Sequence, residues 1–139
     1  MKKIFYFNLL ICSFTLFSCA EASKDEDSLN PNTDPRDKFV GYWTANENSA
    51  LAGTNSHTVN IIKSTNNSSE ILLNNFSGLS VSARASVNNN LLTIPFQQIG
   101  QIGFTKGSGT LTSASSISLS YTTTTGTSRD SSTAVYTKQ

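Results

Sequence analysis

Leu79-Ser80-Val81-Ser82-Ala83-Arg84-Ala85-Ser86-Val87 alternates apolar and polar side chains without a break. Successive side chains of an extended chain point to opposite faces, so this stretch turns one set toward a core and the other toward water. Ile117-Ser118-Leu119-Ser120-Tyr121 repeats the pattern. Outward from these two, less regular runs rich in β-branched and aromatic residues occupy Phe39 to Ala45, Thr58 to Lys63, Ile71 to Phe76, Leu91 to Phe96, Gly103 to Leu111 and Ser132 to Lys138. Together they predict about eight short strands.

The punctuation is of the hairpin kind. Asn66-Asn67-Ser68, Ser77-Gly78, Asn88-Asn89-Asn90, Gly107-Ser108-Gly109 and Thr125-Gly126 offer residues that tolerate positive φ or close a turn with their side chains. No segment combines a 3.6-residue apolar repeat with helix caps, so the domain is expected to be all-β. An open meander leaves its edges free to pair with other chains, and closure removes them. The expected architecture is a small antiparallel up-and-down β-barrel of about eight strands, with a β-sandwich as the alternative. Strands of about six or seven residues make a shallow barrel, which Leu79, Val81, Leu92, Ile94, Phe96, Leu119 and Tyr121 would largely fill.

Charge and hydropathy divide the chain into three: an apolar leader over 1–18, a tether over 19–37 and a domain over 38–139. Lys2 and Lys3 precede the apolar run Ile4 to Phe17, which Asn8, Ser13 and Thr15 interrupt. A spanning helix needs roughly 20 apolar residues, so the run reads as a cleaved export signal. From Ala20 to Asp37 two basic residues face six acidic ones, with Pro31 and Pro35 among them and almost nothing apolar. Such a segment buries too little surface to fold, and a disordered acidic tether is expected.

The tetrapeptide Leu16-Phe17-Ser18-Cys19 that ends the leader resembles a bacterial lipobox, although Phe17 is bulkier than the residue usual at its place. The resemblance implies cleavage before Cys19, lipid on the new N-terminal cysteine, and hence a membrane as partner. An ordinary secretory cut nearby is the alternative. Cys12 would leave with the leader, so no disulfide within one chain could support the domain. Lys24-Asp25-Glu26-Asp27 resembles the acidic surface-export signals of Bacteroidetes lipoproteins, with its charges starting farther from the cysteine than in that pattern. Asp27-Ser28-Leu29 resembles the O-glycosylation sequon of the same phylum, which makes Ser28 a candidate for modification. The expected address is the outer membrane, exposed at the cell surface, with a periplasm-facing lipoprotein as the alternative.

Gly41-Tyr42-Trp43, on the first predicted strand, resembles the Gly-x-Trp of the lipocalin or calycin group. The stretches Gly107 to Leu111, Ile117 to Tyr121 and Ala134 to Lys138 are similar to small lipocalin-like lipoproteins of Bacteroidetes. The resemblance implies a barrel with the tryptophan packed across one end, and a non-catalytic binding or interaction module. A small apolar pocket at an open end would have Trp43 and Phe104 as candidate walls.

Chemistry is sparse. His57 is the only histidine and is read as part of a solvated strand start, so neither a histidine metal cluster nor a metal site of any kind is expected. A serine nucleophile would have only His57 as base. The domain's carboxylates, Glu47, Glu70 and Asp130, are spaced as turn and strand-end residues, with no acid–base pair expected. No catalytic residue and no cofactor is expected. Six basic against three acidic residues from Lys38 onward make no basic stripe, which argues against nucleic acid. Ser, Thr and Asn supply 44 of those 102 residues, a surface of hydroxyls and amides suited to a glycan, with Tyr42, Trp43 or Tyr121 as stacking rings. The expected function is a monomeric envelope binding module for a small apolar or glycan ligand or a partner protein. A structural lipoprotein or an enzyme-inhibitor module without a ligand is the alternative.

Overall fold

The structure, a computed structural model, describes residues 33–139. The leader, Cys19, the Lys24 to Asp27 cluster and Ser28 lie outside the described residues. Eight strands follow in order: β1 Gly41–Ser49, β2 Gly53–Lys63, β3 Glu70–Phe76, β4 Val81–Asn88, β5 Leu91–Ile99, β6 Gly103–Ser113, β7 Ser116–Thr125 and β8 Ser128–Lys138. Each pairs antiparallel with its neighbour, and β1 closes on β8 through the register Trp43↔Lys138 to Ser49↔Ser132. The protein is a closed, all-antiparallel, up-and-down barrel. Every predicted strand is present, and most run longer than expected because pairing extends beyond the apolar cores of the segments.

Alternation sets the inner face. Trp43, Ala45, Val59, Ile61, Ile71, Leu73, Ala83, Ala85, Leu92, Ile94, Ile117, Leu119, Ala134 and Tyr136 are all buried. Small residues on some strands leave room for large ones on others, which is how a narrow barrel fills without voids. Glycine does this most sharply on β6. A Cβ on Gly107 would stand 2.4 Å from Ser120 O and 2.4 Å from Tyr121 Cβ, so β7 lies directly against the bare backbone. Gly107-Ser108-Gly109, expected to form a turn, therefore lies inside a strand, where the barrel's curvature requires the close approach.

Two residues expected to fill the interior lie outside it. Phe96 is 69% exposed because the β5–β6 register shifts between Ile94 and Gln97. That bulge hands the inward phase to Gln97. The Gln97 side chain then takes over the ladder that β5 has lost: its Nε2 donates to Arg84 O at 2.7 Å, and Arg84 N donates to its Oε1 at 2.9 Å. Leu79 is exposed because the alternation breaks in the β3–β4 turn, where Asn75, Ser77, Gly78 and Ser80 all take positive φ. The Asn75 side chain secures this turn, accepting from Ser80 N at 2.9 Å and donating to Thr58 O at 2.8 Å.

The turns at 64–69, 89–90 and 114–115 gather at one end of the barrel, and those at 50–52, 77–80, 100–102 and 126–127 at the other. The first end is sealed. Residues 34–40, which start ahead of the expected boundary at Lys38, pack against it. Arg36 is buried there; its Nη1 donates to Ser64 O, Asn67 O and Glu70 O, and its Nη2 pairs with Asp34 at 2.7 Å. Lys63 adds ion pairs to Asp34 and Asp37. Side-chain and backbone donation from Arg36 holds the Asp34 carboxyl well below the usual range. Phe39, fully buried, lies beneath this cap, and Trp43 Nε1 donates to its carbonyl at 2.8 Å. An acidic segment short of apolar residues folds here because one guanidinium gathers three carbonyls of the β2–β3 connection, of which Ser64 O has no other backbone donor in that turn.

Candidate functional site

The second end is an open mouth. A cavity of about 360 Å³ lies there, lined by Glu47, Ser49, Asn55, Ser77, Thr123 and Asp130, with Leu51, Leu79 and Ile102 contributed by three of the four loops. A larger depression of about 540 Å³ runs over the outer face of β1, β2, β7 and β8, but it is shallow and lined mostly by outward side chains such as Asn46, Thr54, Ser56 and Val135.

Glu47 reaches the mouth by parity. The inward positions of β1 are Trp43, Ala45, Glu47 and Ser49, and Glu47 is only 6% exposed. Ser77 Oγ donates to its Oε1 at 3.0 Å, while Oε2 has no hydrogen-bond partner among the described residues. Further buried polar atoms are in the same condition: the Tyr121 and Tyr136 hydroxyls, both ring nitrogens of His57, and Thr123 Oγ1. Tyr121 stands beside Glu47 and Ser77 without forming a bond of good geometry to either, and its ring packs on Phe76 with centroids 4.6 Å apart. Burial, then the nearby Glu47 charge, pushes both phenols far above the ordinary tyrosine range.

His57 is not the solvated residue expected from its neighbours. It shares the inner face of β2 with Val59 and Ile61, and the β3–β4 turn covers it, so that a Cβ on Gly78 would meet its ring at 3.3 Å. Burial lowers the imidazole pKa from 6.5, and Glu47 acts in the opposite direction. The unfolded chain therefore takes up the proton first. This stability contribution is full above about pH 6.5 and is lost as the pH falls from there toward the folded-state value. The unfolding midpoint is expected to drop between about pH 7 and 5 more steeply in the wild type than in His57→Gln. Parallel pH profiles in thermal melts would show that His57 does not contribute.

Asp130 plays a different part. It accepts from Ser49 Oγ at 2.5 Å and from Leu51 N at 3.1 Å, and Ser49 Oγ in turn accepts from Ala52 N at 2.8 Å. Its oxygens thus fasten the β1–β2 hairpin to β8. Glu70, at the start of β3, stands 3.8 Å from Arg84. Among the described carboxylates, Glu47 is the one with a buried oxygen that meets no hydrogen-bond partner.

The candidate walls Trp43 and Phe104 are not brought together. Trp43 is fully buried toward the sealed end, whereas Phe104 stands on the outer face and stacks on Phe96 at 5.2 Å with ring planes 4° apart. Tyr42, read as a stacking ring, is outward and exposed on β1. Alternation could have found Glu47, since Trp43-x-Ala45-x-Glu47-x-Ser49 continues one parity; the first predicted strand stopped at Ala45. The Tyr121–Tyr136–His57 group has no such signal, because it is assembled from three strands.

No family model and no curated protein matches the chain. A solved structure described as a redesigned β-barrel is similar to it, with a TM-score of 0.51 and 11% sequence identity over 78% of this chain and 97% of that one. At that identity the likeness is one of fold: a small closed antiparallel barrel, the class that the register and the closure of β1 on β8 already define.

Proposed function

We propose that this is a lipid-anchored envelope protein whose lipocalin-like barrel is a non-catalytic binding module, taking a small molecule at its open mouth. The observation that carries the reading is the mouth itself: a cavity at the open end with a buried Glu47 carboxylate that is only half satisfied. Buried polar groups are ordinarily paired, and a cluster of unpaired ones under a cavity is where a polar ligand gains most. Trp43, packed across the sealed end behind Gly41, agrees with the lipocalin-like resemblance. Anchoring rests on Cys19 and its leader, and surface display on Lys24 to Asp27. The well-filled interior beneath the mouth favours the runner-up, an accessory lipoprotein without a ligand.

Mass spectrometry of the protein purified from its own host tests both halves. Lipid is expected to remain on the denatured chain and to vanish in Cys19→Ala, while a small molecule is expected only under native conditions. An unlipidated chain would overturn the anchor, and identical native and denatured masses would favour the accessory reading.

A further inference from the structure

The geometry points to a ligand with a cationic nitrogen: a small ammonium compound whose charged end meets Glu47 and whose short apolar body rests on Leu51, Leu79 and Ile102. This deepens the binding reading above and rests on it. The described residues that line the mouth include two carboxylates and no lysine, arginine or histidine. Both oxygens of Asp130 are engaged with Ser49 and Leu51, so the carboxylate with an unmet buried oxygen is that of Glu47. A carboxylate taken out of water is costly unless a cation or several donors meet it, and the single Ser77 hydroxyl is a weak substitute. An ammonium that replaces this hydroxyl supplies three donors: one goes to the carboxylate and the others to acceptors such as the Tyr121 and Thr123 hydroxyls.

Charge separates this class from its competitors. An anionic ligand would face Glu47 across a poorly solvated space. A neutral alcohol or sugar could bond to the hydroxyls but would leave the carboxylate charge unmatched. The rim supplies the second requirement. Leu51 and Leu79 are exposed, one on the β1–β2 loop and one on the β3–β4 turn, and Ile102 adds a third apolar side chain from the β5–β6 loop. Three apolar side chains around an acidic floor fit an amphipathic amine better than a polyol.

The test is a titration of the purified full-length protein, followed by amide NMR shifts, with cyclohexylamine, cyclohexanol and cyclohexanecarboxylate as probes of one shape and three charges. Cyclohexylamine is expected to shift mouth resonances and to bind at least about tenfold more tightly than the alcohol, with no binding of the carboxylate. Glu47→Gln, with its dispersed amide spectrum retained, should remove that preference. The series on the unaltered protein stands even if this variant does not fold. Equal binding of amine and alcohol, or tighter binding of the carboxylate, overturns the ammonium assignment and leaves the mouth as a binding site. If none of the three binds, the assignment also falls. The native mass measurement then decides the wider reading: a released neutral or anionic molecule preserves it, and none removes it.

Discussion

Trp43→Ala is expected to lower the free energy of unfolding by about 3–5 kcal/mol, a large share of the 5–15 kcal/mol typical of a domain this size. Three losses coincide at this side chain. It is fully buried, so its removal withdraws a large apolar surface and leaves a cavity among strands that cannot all move inward, being fixed in a closed ladder. Its Nε1 bond to Phe39 O is the polar tie between the interior and the capping segment, and without it a buried carbonyl is left unmet. Its ring also lies under Lys138 Nζ at 5.2 Å, where the last residues of β8 meet β1. The cap over 34–40 should therefore loosen before the barrel opens. Urea unfolding followed by far-UV circular dichroism measures the total, since the variant lacks the chain's only tryptophan. Trp43→Phe separates the parts, keeping most of the apolar surface and losing the hydrogen bond, with an expected cost of about 1–3 kcal/mol. A Trp43→Ala cost below about 1 kcal/mol would show that the sealed end does not depend on this residue.

The fold was legible because its signal is local. A strand with one face in water announces itself residue by residue, as Leu79 to Val87 and Ile117 to Tyr121 do, and eight such segments with short turns leave closure as the economical arrangement. Legibility ended wherever a residue's role depends on partners distant in sequence. Phe96 keeps the apolar parity of Leu92 and Ile94, yet the bulge after Ile94 turns it outward; the local sign of that break is Pro95, which has no N–H to give to the ladder, and it does not say which way Phe96 then points. Gly107 and Gly109 read as a turn because glycine most often serves one; their actual role appears only when β7 is laid against them. Arg36 counted as one charge in an acidic tether, but the carbonyls it serves lie about thirty residues away.

The mouth shows the same limit from the side of function. The inward parity of Glu47 could be read from β1 alone, but its half-satisfied state depends on the geometry of Ser77 in the β3–β4 turn. Trp43 and Phe104 offer large rings, a property that equally suits a core residue and an exposed stacking pair. A binding mouth is better recognised by what is left unpaired than by which large side chains are near.

Gly107→Ala is expected to abolish folding, whereas Gly109→Ala should cost only about 1–3 kcal/mol. The two glycines lie two residues apart on the inner face of β6, and both oppose large residues of β7, Tyr121 and Leu119 respectively. The difference lies in what an added methyl group would strike. At Gly107 the new Cβ would sit 2.4 Å from Ser120 O, 2.4 Å from Tyr121 Cβ and 2.7 Å from Tyr121 Cα, all of them backbone or rigidly attached to it. No rotamer change relieves such overlaps, so β6 and β7 would have to separate where their ladder is otherwise continuous from Phe104↔Thr124 to Leu111↔Ile117. Separation there would also move Tyr121 out of its contact with Phe76 and disturb the floor of the mouth. At Gly109 the nearest atoms are Leu119 Cγ and Ser118 O, each at 2.9 Å. There Leu119 can turn and the strand yield by a few tenths of an ångström. Soluble yield and amide dispersion of the two variants, prepared side by side, check the contrast. A folded Gly107→Ala protein as stable as Gly109→Ala would mean that the barrel closes without the close β6–β7 approach.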